Sequence, residues 1–329
     1  MSPQQRAHAP ANPAPLAEFG GALPPAPAWF EQALACRPER DLIRVAGADI
    51  ETLAWGERGR PGLLLIHGNT AHADWWSFVA PMLANDFRVA AFSLSGMGGS
   101  QWRERYSIGL YADEAFAAAE HTGLFEGSRA PVFVGHSFGS FPVIACAHRA
   151  GERLRAAVVL DAPFYTREQR ARRDADKGPR REARATRVYP SQNAALRQFR
   201  FMPPQPVANL FIADYIARHS LRRIVLDNAP GDSPAHGWTW RFDPLMWSRY
   251  EGGRTTDELR ALGCPIANLY GSRSALVRPE VVATQRTLLP PGTPFVEIPD
   301  AAHHLMVDQP AALVAALRAL LACWPQDNP

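Results

Sequence analysis

Cysteine is scarce in this chain, and the residues present are scattered. The four cysteines are Cys36, Cys146, Cys264 and Cys323, and no two of them have the CxxC spacing. This pattern excludes a dense disulfide framework and gives no indication of a cysteine metal site. We interpret all four as buried thiols of a protein in a reducing compartment.

A strong excess of charge of one sign is also absent. Lys and Arg number 35 and Asp and Glu number 32, which leaves a net charge of +3. This balance argues against nucleic acid or a charged membrane surface as a partner. No apolar run approaches the length that spans a membrane, so we expect no membrane insertion.

Signals for export and for cofactors are lacking as well. Residues 1–27 are rich in Pro and Ala but have no basic start followed by an apolar core, so we predict a mobile or wrapping tail and a cytoplasmic protein. The chain has no P-loop, no Rossmann glycine motif and no HExxH. We therefore expect neither a metal nor an organic cofactor, and a small molecule as the partner. No pattern in the chain sets an oligomeric state.

The chain does contain a serine in a distinctive setting. The apolar run 132–134 leads into Gly135, Ser137 and Gly139, which form the pattern G-x-S-x-G, and a helix-like run follows at 141–150. In such a strand–turn–helix the serine takes strained backbone angles, and crowding two positions away on each side leaves room only for glycine. A glycine-containing turn with an incidental serine is the alternative, but the setting favours a catalytic serine.

Short apolar runs alternate with helical patterns along most of the chain. The predicted strands span residues 41–45, 50–55, 63–66, 87–92, 132–134, 156–160, 266–270 and 294–298. The predicted helices span 29–35, 107–121, 280–289 and 311–323, and a further helix begins at Asp74. This alternation predicts the α/β class, with a mostly parallel, doubly wound sheet.

Residues 163–262 interrupt the alternation and are too long for a loop. They begin with an arginine-rich run from Arg167 to Arg184 and end in the aromatic residues Trp238, Trp240, Phe242, Trp247 and Tyr250. We predict a mostly helical cap at 163–262, a core at 41–162 and 263–329, and a tail with a lead-in helix at 1–40. A solvated helix face explains the arginines better than attraction of an anionic substrate. The aromatic residues are expected to pack the cap, and some to line a pocket.

Four motifs together resemble the α/β-hydrolase superfamily, and the resemblance extends over about residues 41–323. They are His67-Gly68-Asn69, the glycine-rich stretch 95–100, the stretch 135–139 and Ala302-His303. The resemblance implies a capped hydrolase similar to esterases, epoxide hydrolases, dehalogenases and C–C bond hydrolases. Dehalogenases and epoxide hydrolases of this type carry Asp as the nucleophile, so Ser137 argues against both.

A serine nucleophile needs a base, and two adjacent histidines compete for this role. His303 and His304 follow the predicted strand 294–298, late in the chain. In the resembled family the catalytic histidine follows a small residue and precedes an acidic-x-Pro helix start. Ala302 and Asp308 place His303 in that register, which leaves His304 as a packing or hydrogen-bonding neighbour.

The same resemblance implies an oxyanion hole made of backbone N–H groups. Phe138, next to the nucleophile, would supply one donor, and Asn69, in the loop after His67-Gly68, would supply the other. Such donors stabilise the negative charge of a tetrahedral intermediate. A tight strand–helix turn without this role is the alternative for residues 67–69.

The acid departs from the common family pattern. Many relatives carry Asp in a G-x-x-D turn after the strand equivalent to 266–270, but this chain has Ser274 at that position. Some relatives carry the acid one core strand earlier, where Asp161 follows the strand 156–160. We predict Asp161 as the acid that orients the base, although Asp-Ala-Pro is also good turn chemistry. Asp300 is the alternative, and Asp257 and Glu280 are weaker ones.

These residues predict a serine hydrolase that cleaves a carboxylic ester or lactone of a small to medium, largely apolar substrate through an acyl-enzyme. A C–C bond hydrolase that acts on a diketone with the same residues is the first alternative. A non-catalytic, ligand-binding hydrolase fold is the second alternative, and the serine at position 274 is the feature that would favour it.

Overall fold

The computed structural model describes residues 14–176, 185–226, 235–252 and 257–324. Much of the predicted N-terminal tail, residues 1–13, lies outside the described residues. The same holds for Arg180, Arg181 and Arg184 of the arginine-rich run. Among the described residues, no helix combines the length and the apolar character needed to cross a membrane.

Ten strands and ten α-helices make up the regular structure of the described residues. The strands are β1 (Glu39–Val45), β2 (Ala48–Trp55), β3 (Gly62–Ile66), β4 (Arg88–Phe92), β5 (Val132–His136), β6 (Ala156–Leu160), β7 (Leu221–Leu226), β8 (Ala235–Trp240), β9 (Ile266–Gly271) and β10 (Phe295–Ile298). The helices are α1 (Ala28–Ala35), α2 (Ala80–Leu83), α3 (Ile108–His121), α4 (Ser140–Ala150), α5 (Arg167–Asp176), α6 (Gln192–Leu196), α7 (Leu210–His219), α8 (Pro279–Leu288), α9 (Leu305–Asp308) and α10 (Pro310–Cys323).

Eight strands form one sheet in the order β1-β2-β4-β3-β5-β6-β9-β10. The pairs β1–β2 and β2–β4 are antiparallel, and all the other pairs are parallel. The prediction of a mostly parallel, doubly wound sheet is therefore confirmed. Because β3, β5, β6, β9 and β10 run in the same direction, the loops that follow them meet at one edge of the sheet.

The central strands are buried on both faces, which explains their uninterrupted apolar sequences. In β3, Leu63 and Leu65 pack into one apolar cluster, and Leu64 and Ile66 pack into another on the opposite face. None of these four side chains is exposed to solvent. The sheet is thus a rigid, water-free base for the loops at its edge.

The prediction of one continuous helix that begins at Asp74 is wrong. A 3₁₀ turn spans Ala73–Trp76, and α2 begins only at Ala80, with a proline in its first turn. Pro81 has no N–H to donate to the carbonyl four residues earlier, and its ring clashes with that carbonyl. Proline is tolerated in the first turn of a helix, so a new helix starts there.

Residues 163–262 contain an element that the sequence did not predict. Besides α5, α6 and α7, the strands β7 and β8 form a two-stranded antiparallel sheet with Leu221 opposite Trp240. Tyr189 extends it through two backbone hydrogen bonds with Trp238 (2.8 and 2.9 Å). The sequence of β7 carries Arg222 and Arg223 side by side and lacks the apolar–polar alternation by which strands are recognised.

The prediction of four buried thiols is wrong for two of the cysteines. Cys146 and Cys264 are buried, whereas Cys36 and Cys323 are exposed. Both exposed residues lie at the C-terminal ends of helices, Cys36 after α1 and Cys323 as the last residue of α10. All four are free thiols, so the fold does without disulfides.

Candidate active site

The turn after β5 holds Ser137 in a strained conformation. Its φ angle is +51°, a left-handed value that is unfavourable for a residue with a Cβ. A Cβ on Gly135 would lie 2.3 Å from the carbonyl oxygen of Gly139, and one on Gly139 would lie 2.4 Å from that of His67. The crowding expected from the G-x-S-x-G spacing is therefore present, and it leaves Ser137 half-buried at the edge of the sheet.

Three of the predicted site residues form one chain of hydrogen bonds. The distance from Ser137 Oγ to His303 Nε2 is 3.0 Å, and that from His303 Nδ1 to Asp161 Oδ2 is 2.6 Å. His303 and Asp161 are buried, with 2% and 0% of their surface exposed. A carboxylate can only accept, so His303 Nδ1 carries the proton and Nε2 turns its lone pair toward the serine hydroxyl.

The carboxylate of Asp161 is held by two further donors. The Gly271 N–H donates to Oδ1 (3.0 Å), and the Ser274 hydroxyl donates to Oδ2 (2.7 Å). Gly271 is the last residue of β9, and Ser274 lies in the turn after it, where the resembled family commonly has its acid. Asp161 itself has a φ of +47° directly after β6. The strand end and the neighbouring turn together fix the carboxylate beneath the histidine.

The alternative acids lie elsewhere. Asp300 is an exposed residue that pairs with Arg273, Glu280 lies in the first turn of α8, and Asp257 begins a 3₁₀ helix. Among the described residues, Asp161 is the carboxylate that is hydrogen-bonded to His303. The structure therefore brings Asp161 to His303, whereas the exposed carboxylate of Asp300 pairs with Arg273.

His304 has different surroundings from His303. Its ring centroid lies 5.3 Å from that of Trp75 and 5.0 Å from that of Phe201. Neither ring nitrogen has a hydrogen-bond partner among the described residues. Burial lowers the pKa of His304 well below its ordinary value, with the nearby rings of His303 and His136 acting in the same direction. His304 is thus a neutral imidazole inside an aromatic wall, as a packing neighbour would be.

The loop after β3 lies beside the serine and is braced by His67. A cavity of about 60 Å³ is lined by Asn69, Ser137 and His303, among others. His67 Nδ1 donates to the carbonyl of Gly68 (2.7 Å), and its Nε2 accepts from the N–H of Leu94 (2.9 Å). Burial lowers the pKa of His67 to about 3, so the ring stays neutral and both hydrogen bonds persist near neutral pH.

The two residues expected to form an oxyanion hole differ in how they are placed. Asn69 lines the cavity next to Ser137. Phe138 follows Ser137 in the 3₁₀ turn Ser137–Gly139, which continues directly into α4. The backbone N–H groups at a helix start point away from the helix, so the Phe138 N–H lies where a helix accommodates negative charge.

The histidine loop is braced by contacts that the sequence did not reveal. Asp308 accepts from the N–H of Ala302 (2.8 Å) and from Gln205 Nε2 (3.0 Å). Gln205 Oε1 in turn accepts from the N–H of His304 (3.2 Å), and Asn209 donates to a carbonyl of α9 (2.7 Å). Burial raises the pKa of Asp308 to about 6. Gln205 and Asn209 are ordinary loop residues more than 90 positions away, and no local pattern marks them.

Aromatic side chains from residues 163–262 pack near the serine. The ring of Phe138 lies 5.4 Å from that of Trp247 and 6.3 Å from that of Tyr250. Phe141 and Phe164 form a further pair at 5.6 Å. Two of the five aromatic residues that the sequence analysis names, Trp247 and Tyr250, thus pack against the nucleophile's neighbour. A second cavity, of about 340 Å³, has His303 and Gln205 in its wall.

A strained serine at the end of a central strand, with a histidine and a carboxylate on neighbouring loops, defines a class of hydrolase folds. Residues 63–317 match a family model described as the alpha/beta hydrolase family. The chain belongs to the alpha/beta hydrolase family, and it has the α/β-hydrolase fold that the sequence motifs predicted.

Curated relatives carry several hydrolase activities. The chain is 40% identical over 62 residues to a fluoroacetate dehalogenase from Burkholderia, covering 19% of this chain and 20% of the relative. It is 30% identical over 135 residues to epoxide hydrolase A of Mycobacterium tuberculosis, covering 40% of this chain and 41% of the relative. It is 25% identical over 268 residues to the pimeloyl-[acyl-carrier protein] methyl ester esterase of Edwardsiella ictaluri, covering 79% of this chain and 92% of the relative. The chain therefore spans less than half of the first two relatives and most of the third.

Solved structures share the fold. A novel esterase from Mycobacterium tuberculosis superposes with a TM-score of 0.64 at 23% identity, covering 93% of this chain and 95% of that one. At this level of identity the likeness concerns the fold alone.

Proposed function

We propose that this hydrolase cleaves a carboxylic ester or lactone of a small to medium, largely apolar substrate through an acyl-enzyme. The observation that carries the proposal is the hydrogen-bonded chain from Ser137 through His303 to Asp161. It joins a nucleophile, a base and an orienting carboxylate in the arrangement that serine hydrolysis requires.

In the proposed first half-reaction, His303 removes the proton of the Ser137 hydroxyl as its oxygen attacks the substrate carbonyl. Asp161 holds the imidazole in the tautomer with its proton on Nδ1 and stabilises the imidazolium that forms. The backbone N–H groups of Phe138 and Asn69 donate to the developing oxyanion. His303 then returns the proton to the leaving alcohol, and the acyl group stays on Ser137.

In the second half-reaction, His303 removes a proton from water, which attacks the acyl-enzyme carbonyl. The tetrahedral intermediate collapses, the acid leaves, and Ser137 recovers its proton. Every proton passes through His303 Nε2, so the proposed reaction needs neither a metal nor an organic cofactor.

The nucleophile supports ester cleavage over the activities named by two of the relatives. The resembled dehalogenases and epoxide hydrolases use an aspartate nucleophile, and this chain has Ser137 at that position. The relative that matches over most of its length is a methyl ester esterase. The apolar side chains of Ala71, Trp75 and Met202 in the wall of the cavity next to Ser137 favour an apolar acyl or alcohol group.

Residues 163–262 are proposed to act as the cap of this site, in a cytoplasmic enzyme. In support, Met202 lies in the wall of the cavity next to Ser137, and Gln205 is hydrogen-bonded to the histidine loop. A cap in this position excludes water from part of the site and limits the size of the substrate.

The test is hydrolysis of a series of nitrophenyl esters with increasing acyl length. Wild type is compared with Ser137→Ala and with Ser248→Ala, which removes an exposed hydroxyl that donates to the carbonyl of Leu245. We expect turnover in wild type and in Ser248→Ala, and none above background in Ser137→Ala. Equal turnover in all three would overturn the proposal, and so would turnover of a ring-fission diketone without turnover of any ester.

A further inference from the structure

Three buried histidine rings converge next to the nucleophile, and the proposed reaction uses one of them. His136, His303 and His304 each offer a ring nitrogen, and these nitrogens lie within 4.8 Å of one another. All three residues are almost completely buried, with 1%, 2% and 4% exposure. They share the wall of the cavity of about 60 Å³ next to Ser137. Neither His136 nor His304 is needed for the proton transfers.

The hydrogen bonds decide where the lone pairs of these rings lie. His136 Nε2 lies 2.9 Å from the carbonyl oxygen of His303 and must donate to it, so the lone pair is on Nδ1. His303 donates from Nδ1 to Asp161, which leaves its lone pair on Nε2. His304 has no hydrogen-bond partner among the described residues, so either nitrogen can present a lone pair. Nδ1 of His136 likewise has no partner there.

We propose that His136, His303 and His304 form a binding site for a borderline-soft divalent cation, such as Zn²⁺, which withdraws His303 from catalysis while it is bound. Imidazole nitrogen is a preferred ligand of zinc and copper, and three histidines with one open position are an established zinc ligand set. The binding rests on the histidine cluster alone, whereas the inhibition rests on the proposed hydrolase function.

Two of the three ligands already have the outer contacts that zinc-bound histidines show. Metal-ligating histidines usually donate their other ring N–H to a carboxylate or a backbone carbonyl, which orients the ring and raises its basicity. His303 donates to the buried Asp161 carboxylate, and His136 donates to a backbone carbonyl. The negative charge of Asp161 also offsets part of the charge of a dication.

The third ring has the freedom to complete the site. Nitrogens that bind the same zinc ion each lie about 2.0–2.1 Å from it. The ring nitrogens, which now lie within 4.8 Å of one another, must therefore come closer together when the ion binds. No hydrogen bond holds the nitrogens of His304 among the described residues, so a ring rotation changes its packing against the neighbouring rings, Trp75 and Phe201 among them, without breaking a hydrogen bond there. Such a shift brings a partnerless nitrogen toward the other two.

The direct test is isothermal titration calorimetry of ZnCl₂ into Ser137→Ala, which keeps the three rings and needs no turnover. We expect one Zn²⁺ per chain and reversal by EDTA. In the same background, His304→Phe should weaken binding by at least about tenfold, since loss of even an outer contact costs that much. His148→Ala, which removes an exposed histidine, should leave binding unchanged. No binding to Ser137→Ala, or equal binding after His304→Phe, would overturn the site.

The second measurement follows ester hydrolysis against Zn²⁺ concentration. The rate of each protein at each Zn²⁺ concentration is divided by its own rate without metal, and on this scale we expect His304→Phe to need at least about tenfold more Zn²⁺ for half-inhibition than wild type. Equal sensitivity of the two proteins would contradict the proposal. His304→Leu serves as a second variant if thermal melts show that His304→Phe does not fold. If no ester is turned over, the proposed hydrolysis fails while the calorimetry still decides the metal site.

Discussion

The hydroxyl of Ser274 donates to Asp161 Oδ2 over a distance of 2.7 Å, and the same oxygen also accepts from His303 Nδ1. The direction of this hydrogen bond follows from the number of donors and lone pairs that Ser274 Oγ has. Ser274 Oγ already accepts from the N–H groups of Leu276 (3.1 Å) and Val277 (2.9 Å). Both lone pairs are then occupied, and the single hydroxyl hydrogen points to Asp161. The residue that stands where many relatives carry the acid thus supports an acid from the neighbouring strand.

Replacement of Asp161 tests the role of the carboxylate. In Asp161→Asn the side chain keeps its shape, but its amide can donate to His303 Nδ1 and so favour the wrong tautomer. We expect kcat to fall by about 10⁴-fold, as amide replacement of a triad acid does in a serine protease. Steady-state ester hydrolysis measures this, with a thermal melt to show that the variant is folded. Near-normal kcat would exclude Asp161 as the acid.

Replacement of Ser274 tests whether its hydrogen bond to Asp161 contributes to catalysis. Ser274→Ala removes one donor to a buried carboxylate, a hydrogen bond worth about 1.5–3 kcal/mol. If part of this energy is used to position the carboxylate beneath His303, kcat should fall by about tenfold, which corresponds to about 1.4 kcal/mol, with KM little changed. Ser248→Ala, which removes an exposed hydroxyl outside this turn, is the control. A kcat equal to that of the control would limit Ser274 to a structural role.

The two positions should also be exchangeable. The Ser274 hydroxyl and the His303 nitrogen share one Asp161 oxygen, so a carboxylate built at position 274 would start within reach of the histidine. We expect Ser274→Asp, added to Asp161→Asn, to recover at least about tenfold of the lost kcat, since a tenfold gain needs only about 1.4 kcal/mol. Ser274→Asn in the same background has the same size without the charge. Equal recovery by both would show that charge is not the cause.

Much of the fold was predictable because short stretches of the sequence carry the patterns of its strands and helices. The buried strands are uninterrupted apolar runs, and the alternation of strands with helices specifies the parallel sheet. The prediction failed where the outcome depends on a single proline, as at Pro81, or where a strand lacks alternation, as in β7. The first feature depends on a clash between the Pro81 ring and the backbone, and the second depends on the pairing of β7 with β8. A short stretch of sequence does not predict either of them.

The site shows the same division. The surroundings of Ser137 follow from its own turn, so the strain and the glycine crowding were foreseeable. The bonds from Ser274 to Asp161 and from Gln205 to Asp308 join residues that are 113 and 103 positions apart. Only the folded chain brings these pairs together.

Asp308 should give the enzyme a pH-dependent stability that one substitution removes. Burial raises the pKa of its carboxyl to about 6, from an ordinary value of 3.8. Because the folded chain holds the proton more tightly than the unfolded chain, this group stabilises the fold fully below about pH 4. The contribution is lost as the pH rises through about 6.

The measurement is the free energy of unfolding by urea, for wild type and Asp308→Asn, between pH 4 and pH 8. The asparagine oxygen can still accept from Ala302, but the side chain does not titrate. We expect the stability of wild type minus that of the variant to fall by roughly 2–3 kcal/mol over this range, since each pKa unit is worth about 1.4 kcal/mol. Other groups titrate in both proteins and cancel in this difference. A difference that stays constant, or that grows toward pH 8, would show that folding does not raise the pKa of the Asp308 carboxyl.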